Sequence, residues 1–184
     1  MQIWVYLKRM LTIIALAAIL FQIDRPSLAA DGRTLKFTVP DAPWNLILPQ
    51  GSLIVEKQEI QPNGQAGYFH LNDQRAGINV SFYIEPAGKC TTSKDCRDMV
   101  WKLGNPAWEN PQNVVLSEYG DVSVCEFFTP LFRRVPVNQQ NIYAEFVVNG
   151  FWVDLHISKI AYKPTDHNLL ERIARSIVFE PKQK

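Results

Sequence analysis

The feature that most constrains the fold is an Asn149-Gly150 pair between two runs of alternating apolar and polar residues. Asn-Gly is the residue pair most typical of a two-residue hairpin turn. It predicts a hairpin over residues 141–160 in which Val148 pairs with Phe151. The same register pairs Phe146 with Val153, Ala144 with Leu155 and Ile142 with Ile157 on one apolar face.

The opposite face of this hairpin is polar. Glu145 falls opposite Asp154, and Tyr143 falls opposite His156. Directly opposed carboxylates are destabilising unless a further group compensates them. A metal could bind Glu145, Asp154 and His156, which together supply oxygen and nitrogen ligands. Alternatively, one carboxyl group has a raised pKa and acts as an acid while the other acts as a base.

A third way to compensate the two carboxylates is an ordinary cation from a neighbouring element. Arg172 and Arg175 of a predicted C-terminal helix are candidates, as are Arg133 and Arg134 of a predicted irregular segment. Charged groups on a sheet face are normally paired or solvated. The metal, acid–base and ion-pair interpretations therefore all stay open at this point.

The remaining pattern predicts an α+β domain built on an antiparallel β-sheet of about five to eight strands flanked by two main helices. Short turns between the strands require antiparallel pairing. Residues 93–103 form the first helix, with Thr92 or Ser93 as its N-cap, and Pro164 and Thr165 begin the second. Further strands are predicted at 35–39, 46–48, 52–60, 66–72, 77–85, 114–119, 121–128 and 178–179, with a loop at 105–113 and irregular chain at 130–138.

The N-terminal residues have the pattern of an export signal. Lys8 and Arg9 precede an apolar run of 12 residues from Met10 to Phe21, which is too short to span a bilayer of roughly 30 Å. Small residues follow, and cleavage is expected near Ala29 or Ala30. The prediction is a secretory signal peptide at 1–30 and a single domain at 31–184. An uncleaved leader would instead tether the chain to a membrane.

Charge and motifs exclude several function classes. The chain carries 19 basic and 18 acidic side chains; the leader holds three of the former and one of the latter, which leaves the domain at −1. A charge this small predicts no nucleic-acid partner and no membrane contact except through an uncleaved leader. No P-loop, GxGxxG, GxSxG or HExxH motif occurs, so no cofactor and no particular enzyme activity are predicted.

The three cysteines, Cys90, Cys96 and Cys125, all lie in the predicted exported domain, where oxidation is expected. A Cys90–Cys96 disulfide would close a short polar loop at the start of the first helix. Cys96–Cys125 is the main alternative, because Cys96 lies on the apolar face of that helix. Three reduced, buried thiols are a further possibility.

Four residues are candidates for contact with a partner. Trp44 and Trp108 lie beside prolines in predicted loops, where an exposed tryptophan can bind a partner. Such tryptophans also often pack over the edge of a core. Arg133 and Arg134 could contact an anion or an acidic partner. The partner itself, whether a protein or a small ligand, is not identified by these residues.

Three segments give the domain a resemblance to the PsbP-like family, the extrinsic photosystem II subunits and their bacterial relatives. They are residues 37–44, the hairpin segment 148–151 and residues 174–179, in order along the chain. The resemblance implies an antiparallel sheet between helices, an α/β/α sandwich, and an assembly or binding role outside the cytoplasm. The Cys90–Cys96 segment and the loop around Trp108 have no counterpart in that family.

These observations together predict an exported, periplasmic or secreted, non-catalytic binding or accessory domain. The first alternative is a hydrolase or metal-binding protein that uses Glu145, Asp154 and His156. The second alternative is a membrane-tethered structural protein, which requires that the leader is not cleaved.

Overall fold

A computed structural model describes residues 32–88, 90–104 and 110–183. The predicted signal peptide at 1–30 and Trp108 lie outside the described residues. Within them the strands are β1 (Thr34–Thr38), β2 (Trp44–Pro49), β3 (Ile54–Ile60), β4 (Gly67–Asp73), β5 (Ile78–Pro86), β6 (Gln112–Tyr119), β7 (Val122–Phe132), β8 (Val135–Val148), β9 (Phe151–Lys159) and β10 (Val178–Pro181). The helices are α1 (Ser93–Leu103) and α2 (His167–Arg175), and a short 3-10 turn at Pro164–Asp166 precedes α2.

The predicted β8–β9 hairpin is confirmed residue by residue. Asn149 and Gly150 both have positive φ, 50° and 79°, as a two-residue turn between twisted strands requires. Val148 pairs with Phe151, and Glu145 pairs with Asp154. The side chains that the sequence places on the polar face, including Glu145 and Asp154, therefore do share one face of the hairpin.

Antiparallel strands form two sheets. The larger has seven strands in the order β3-β4-β5-β9-β8-β7-β6, and the smaller has three in the order β1-β2-β10. All of their described pairings are antiparallel. The predicted fold class is confirmed. The N-terminal and C-terminal parts of the domain meet in the small sheet, because β10 pairs with β2.

The core lies between the two sheets. Phe37 of β1 makes edge-on ring contacts with Phe69 and Phe82 of the large sheet, at centroid distances of 5.1 and 5.0 Å. Leu170 and Ile173 of α2 are buried against the same face. This face is called the inner face below. Aromatic and branched apolar side chains of this kind supply most of the free energy of burial in a domain of this size.

Helix α1 packs on the other, outer face, over β7 and β8. The Thr92 side chain accepts a hydrogen bond from the Asp95 N–H at 3.1 Å, and Gly104 ends the helix with a positive φ of 70°. The buried Ser93 hydroxyl joins the helix to the sheet, since it donates to the Asp121 carbonyl and accepts from the Val147 N–H. The two helices thus lie on opposite faces, as the sandwich predicts.

The prediction of irregular chain at 130–138 is wrong. Strand β7 continues to Phe132 and β8 begins at Val135, so Arg133 and Arg134 form a two-residue turn. A register shift between Thr129 and Leu131 accommodates Pro130. Pro130 and Pro136 do not break these strands, because at a bulge and near a strand end they interrupt few ladder hydrogen bonds.

The Cys90–Cys96 disulfide is present, and Cys125 is a buried free thiol. The predicted pairing is confirmed, and the Cys96–Cys125 alternative is wrong. No helix among the described residues is long and apolar enough to cross a membrane.

Candidate functional site

The opposed carboxyl groups on the outer face are real neighbours. Glu145 is 1% exposed, and one of its carboxyl oxygens, Oε2, accepts a hydrogen bond from the Trp152 indole N–H at 2.6 Å. Asp154 is partly buried beside it, with its Oδ1 atom shielded from solvent. The register of β8 and β9 brings the three side chains together, because Trp152 and Asp154 alternate on the same face of β9.

Burial dominates the electrostatics of this pair. Burial and the nearby Asp154 raise the pKa of Glu145 well above its usual range. Burial and the charge of Glu85 raise the pKa of Asp154 to about 6. Both carboxyl groups are therefore shifted toward the protonated form, and the two titrate as a coupled pair.

The predicted arginine partners of the pair are not its neighbours. Arg172 and Arg175 belong to α2, which packs on the inner face. Arg133 and Arg134 lie at the far end of β8, ten residues or roughly 30 Å away along an extended strand. The cation that lowers the pKa of Glu145 is Arg97 of α1, which is 5% exposed and donates to the Ser117 carbonyl at 3.1 Å.

His156 does not join the two carboxyl groups. Its Nε2 atom lies 3.0 Å from the Asn141 side-chain oxygen, and its ring stacks on Tyr143 at a centroid distance of 4.2 Å. Burial lowers the pKa of His156 to about 4, so the ring is neutral at physiological pH. Within the described ranges, no group of three His, Cys, Asp or Glu side chains is arranged to hold a metal ion.

The candidate partner contacts occupy different environments. Trp44 is 2% exposed, donates its indole N–H to the Val148 carbonyl at 3.2 Å and packs edge-on against Phe179 at 4.7 Å. It is therefore a core residue, the alternative expected for a tryptophan beside a proline, and has no surface to offer a partner. Arg133 and Arg134 are exposed at the tip of the β7–β8 hairpin.

A groove that the sequence analysis missed lies between α2 and the inner face of β7 and β8. Its volume is about 510 Å³. Val124, Ile142 and Phe146 form its floor, and Ala174 and Ile177 form one wall. Phe179 of β10 in the small sheet packs against Phe146 at a centroid distance of 5.5 Å, and α2 covers the other side of the groove.

Acidic and basic groups stand at the polar side of this groove. Glu126 is 8% exposed, and burial raises its pKa. His167 Nδ1 lies 3.6 Å from the Glu126 carboxylate. On the rim, the Arg175 guanidinium stands 4.1 Å from the centre of the Tyr119 ring and bonds Glu171 at 2.6 Å. The groove therefore combines an apolar floor with a few fixed polar groups.

One sequence signal could have identified this groove. Residues 122–128 alternate, so Glu126 falls on the same face as Val122 and Val124. A carboxylate on the apolar face of a strand conflicts with burial, and such conflicts occur most often at functional sites. The position of α2 beside it, however, does not follow from that pattern.

The two antiparallel sheets, with a helix on each face of the larger one, define the class of protein, an α+β domain with a PsbP-like fold. The chain is similar to cyanobacterial PsbP (CyanoP) from Synechocystis sp. PCC 6803, whose solution structure matches with a TM-score of 0.52. The match has 12% sequence identity and covers 79% of this chain and 92% of that chain. No protein-family model matches the sequence, and no curated protein is significantly similar to it. The predicted resemblance is confirmed at the level of the fold.

Proposed function

We propose that this chain is an exported, non-catalytic binding domain that takes a small, largely apolar ligand in the groove between α2 and β7–β8. The observation that carries the proposal is the groove itself. Ligand sites are typically concave, apolar spaces of about 300–1,000 Å³ with a small number of polar groups. A volume of about 510 Å³ and a floor of Val124, Ile142 and Phe146 fit that description.

The polar groups indicate the chemistry of the ligand. The Glu126 carboxyl group is buried beside the groove, and with His167 Nδ1 3.6 Å away it can still accept a further hydrogen bond. A ligand with an aromatic or aliphatic body and one N–H or O–H group directed at Glu126 would donate that bond. Arg175 and Glu171 largely compensate each other on the rim, so a strongly charged ligand has less support.

Two features support a location outside the cytoplasm. The Cys90–Cys96 disulfide is the kind of bond that persists in oxidising compartments, and the PsbP-like fold is consistent with an extracytoplasmic domain. Either the periplasm or the external medium is compatible with these two features. N-terminal sequencing of the processed protein tests the export prediction, since a first residue near Asp31 supports cleavage and Met1 contradicts it.

The hydrolase or metal-binding alternative has less support from access and geometry. Glu145 is 1% exposed beneath Trp152, and His156 is occupied by Asn141 and Tyr143. A general acid or metal ligand has to reach its substrate or ion. The membrane-tethered structural protein is a separate alternative, and it depends on the leader alone.

A direct test uses N-phenylnaphthylamine, a fluorescent apolar amine whose N–H can face Glu126. The variant I177W places an indole in the groove, and V178W is its matched control because Val178 is adjacent and 57% exposed. The expected result is saturable binding that I177W weakens at least about tenfold, equivalent to about 1.4 kcal/mol, while V178W leaves it unchanged. No binding, or equal binding by both variants, refutes the groove as the site.

A further inference from the structure

We propose that the tip of the β7–β8 hairpin docks on a membrane surface that contains anionic lipids, which departs from the expectation of no membrane contact that the net charge gave. The tip is defined as residues 131–135, with Leu131, Phe132 and Val135 flanking the turn formed by Arg133 and Arg134. This proposal concerns a surface far from the groove and does not rest on the proposed ligand.

The tip projects beyond the body of the sheet. Pairing of β7 with β6, the strand at the edge of the sheet, ends at Phe128. On the other side, the chain that follows β9 bonds the hairpin as far as Val137, whose carbonyl accepts from the Ala161 N–H. The residues beyond Val137 therefore extend by roughly 10 Å at the rise of a β-strand. That length is comparable to the depth, about 5–10 Å, at which interfacial segments insert into a bilayer.

The projecting end exposes apolar side chains that a core would normally contain. Leu131 is 45% exposed, Phe132 38% and Val135 60%. Exposed apolar residues scattered singly need no explanation, but three in five consecutive positions at a convex tip form a patch. A convex apolar tip suits a fluid interface, which deforms around it, better than a rigid protein surface, which needs a matching cavity.

The charge of the tip selects the kind of membrane. Arg133 and Arg134 are the charged residues within 130–138, and that segment contains no acidic residue. The Arg133 guanidinium lies 5.3 Å from the centre of the Phe132 ring, so charge and aromatic surface stand together. Basic groups beside apolar ones are typical of surfaces that bind anionic headgroups while their apolar neighbours enter the acyl boundary.

The backbone of the turn is in a conformation that is unfavourable for arginine. Arg133 and Arg134 have φ of 49° and 68°, the left-handed region in which a two-residue hairpin turn normally places Asn and Gly. The β8–β9 hairpin uses such a pair, Asn149-Gly150, and the β6–β7 hairpin has Gly120 in its two-residue turn. Backbone strain of this kind occurs preferentially where function requires the residue.

Other elements at the same end of the sheet agree with this orientation. Ile54 at the start of β3 is 63% exposed, and Ile160 just after β9 is 46% exposed.

The test places an environment-sensitive NBD fluorophore on the tip and compares it with the opposite end. The processed protein is labelled at V135C, and at Q61C in the β3–β4 turn as the control. The native cysteines do not compete, because Cys90 and Cys96 are paired and Cys125 is 3% exposed. Each protein is titrated with phosphatidylcholine vesicles with and without phosphatidylglycerol.

The expected result is a blue shift of the V135C label with phosphatidylglycerol vesicles, little shift with phosphatidylcholine alone, and none for Q61C. The double variant R133N/R134G in the V135C background keeps a favourable hairpin turn and removes both charges. It should weaken partitioning about thirtyfold, or about fivefold for each arginine. A control variant, K94Q/K102Q on α1, removes two exposed charges elsewhere and should weaken it much less.

Several outcomes would overturn the proposal. They are the absence of a blue shift for the V135C label with any vesicle, or equal shifts for the V135C and Q61C labels. Equal binding to neutral and anionic vesicles, or an equal loss of partitioning in R133N/R134G and K94Q/K102Q, would also overturn it. A tip label that ignores vesicles but shifts with solubilised envelope proteins would assign the tip to a protein partner instead.

Discussion

Replacing Asp154 by Asn should stabilise the protein at neutral pH and leave its stability at pH 4 much less changed. Burial holds the pKa of Asp154 at about 6, against 3.8 for the free side chain. Below pH 4 the carboxyl group is protonated in both states, so it contributes no pH dependence. Between pH 4 and 6 the unfolded chain releases its proton while the folded chain keeps it, and stability falls as pH rises.

The magnitude follows from the difference between the two pKa values. A shift from 3.8 to about 6 corresponds to roughly 3 kcal/mol of lost stability above pH 6. Asn cannot ionise, so D154N avoids that loss. For a domain of this size the gain corresponds to roughly 6–12 °C in Tm.

The pH profile of the unmodified protein hides this effect, because His156 opposes it. Its folded pKa of about 4 lies below the ordinary value of 6.5, so His156 costs stability as pH falls through the same window. The quantity to measure is therefore the difference in unfolding free energy between D154N and wild type, from urea titrations at several pH values between 4 and 8. D41N, at an exposed turn, is the control. A difference that does not grow between pH 4 and 6.5 refutes the reasoning.

Three further predictions concern His156, the cysteines and Ser93. H156Q should lose less stability than wild type between pH 6.5 and 4, because the neutral buried ring is replaced by a group that does not titrate; equal losses in urea titrations would contradict this. Thiol counting under denaturing, non-reducing conditions should find one free thiol, which is unreactive in the folded protein because burial raises the pKa of Cys125 to about 12; three free thiols would exclude the disulfide. S93A should cost about 1–3 kcal/mol in unfolding free energy, since its hydroxyl serves two backbone groups; a cost below 0.5 kcal/mol would show that water replaces it.

Local patterns were enough to predict several features correctly. The Asn149-Gly150 turn and the alternation around it predicted every pair from Val148–Phe151 to Asn141–Ser158. A short turn sets the register of its strands, and a slip by one residue would expose the whole apolar face. The Thr92 cap and the Cys90–Cys96 bond were predictable for the same reason, since their partners are three and six residues apart.

The groups around the candidate site depended on contacts between distant segments. Pairing Glu145 with Asp154 was predictable, but Arg97 as the nearby cation was not, because it arrives on a helix 48 residues earlier in the chain. The prediction instead named arginines of α2, whose face of the sheet the sequence does not reveal. Likewise, alternation could not tell whether Trp44 would be covered by Phe179, which is 135 residues away.

By itself, then, the sequence determined the class of fold, the register of the late hairpin and the Thr92 cap, all of which follow from the turn chemistry and periodicity of short segments. It favoured the Cys90–Cys96 disulfide without excluding the alternatives. Only the tertiary structure decided which elements cover which face of the sheet. That choice buried Trp44, raised the pKa values of Glu145 and Asp154, opened the groove beside Glu126 and left the tip around Arg133 exposed. The physical reason is that burial is a property of packed layers, and layers are assembled from residues far apart in the chain.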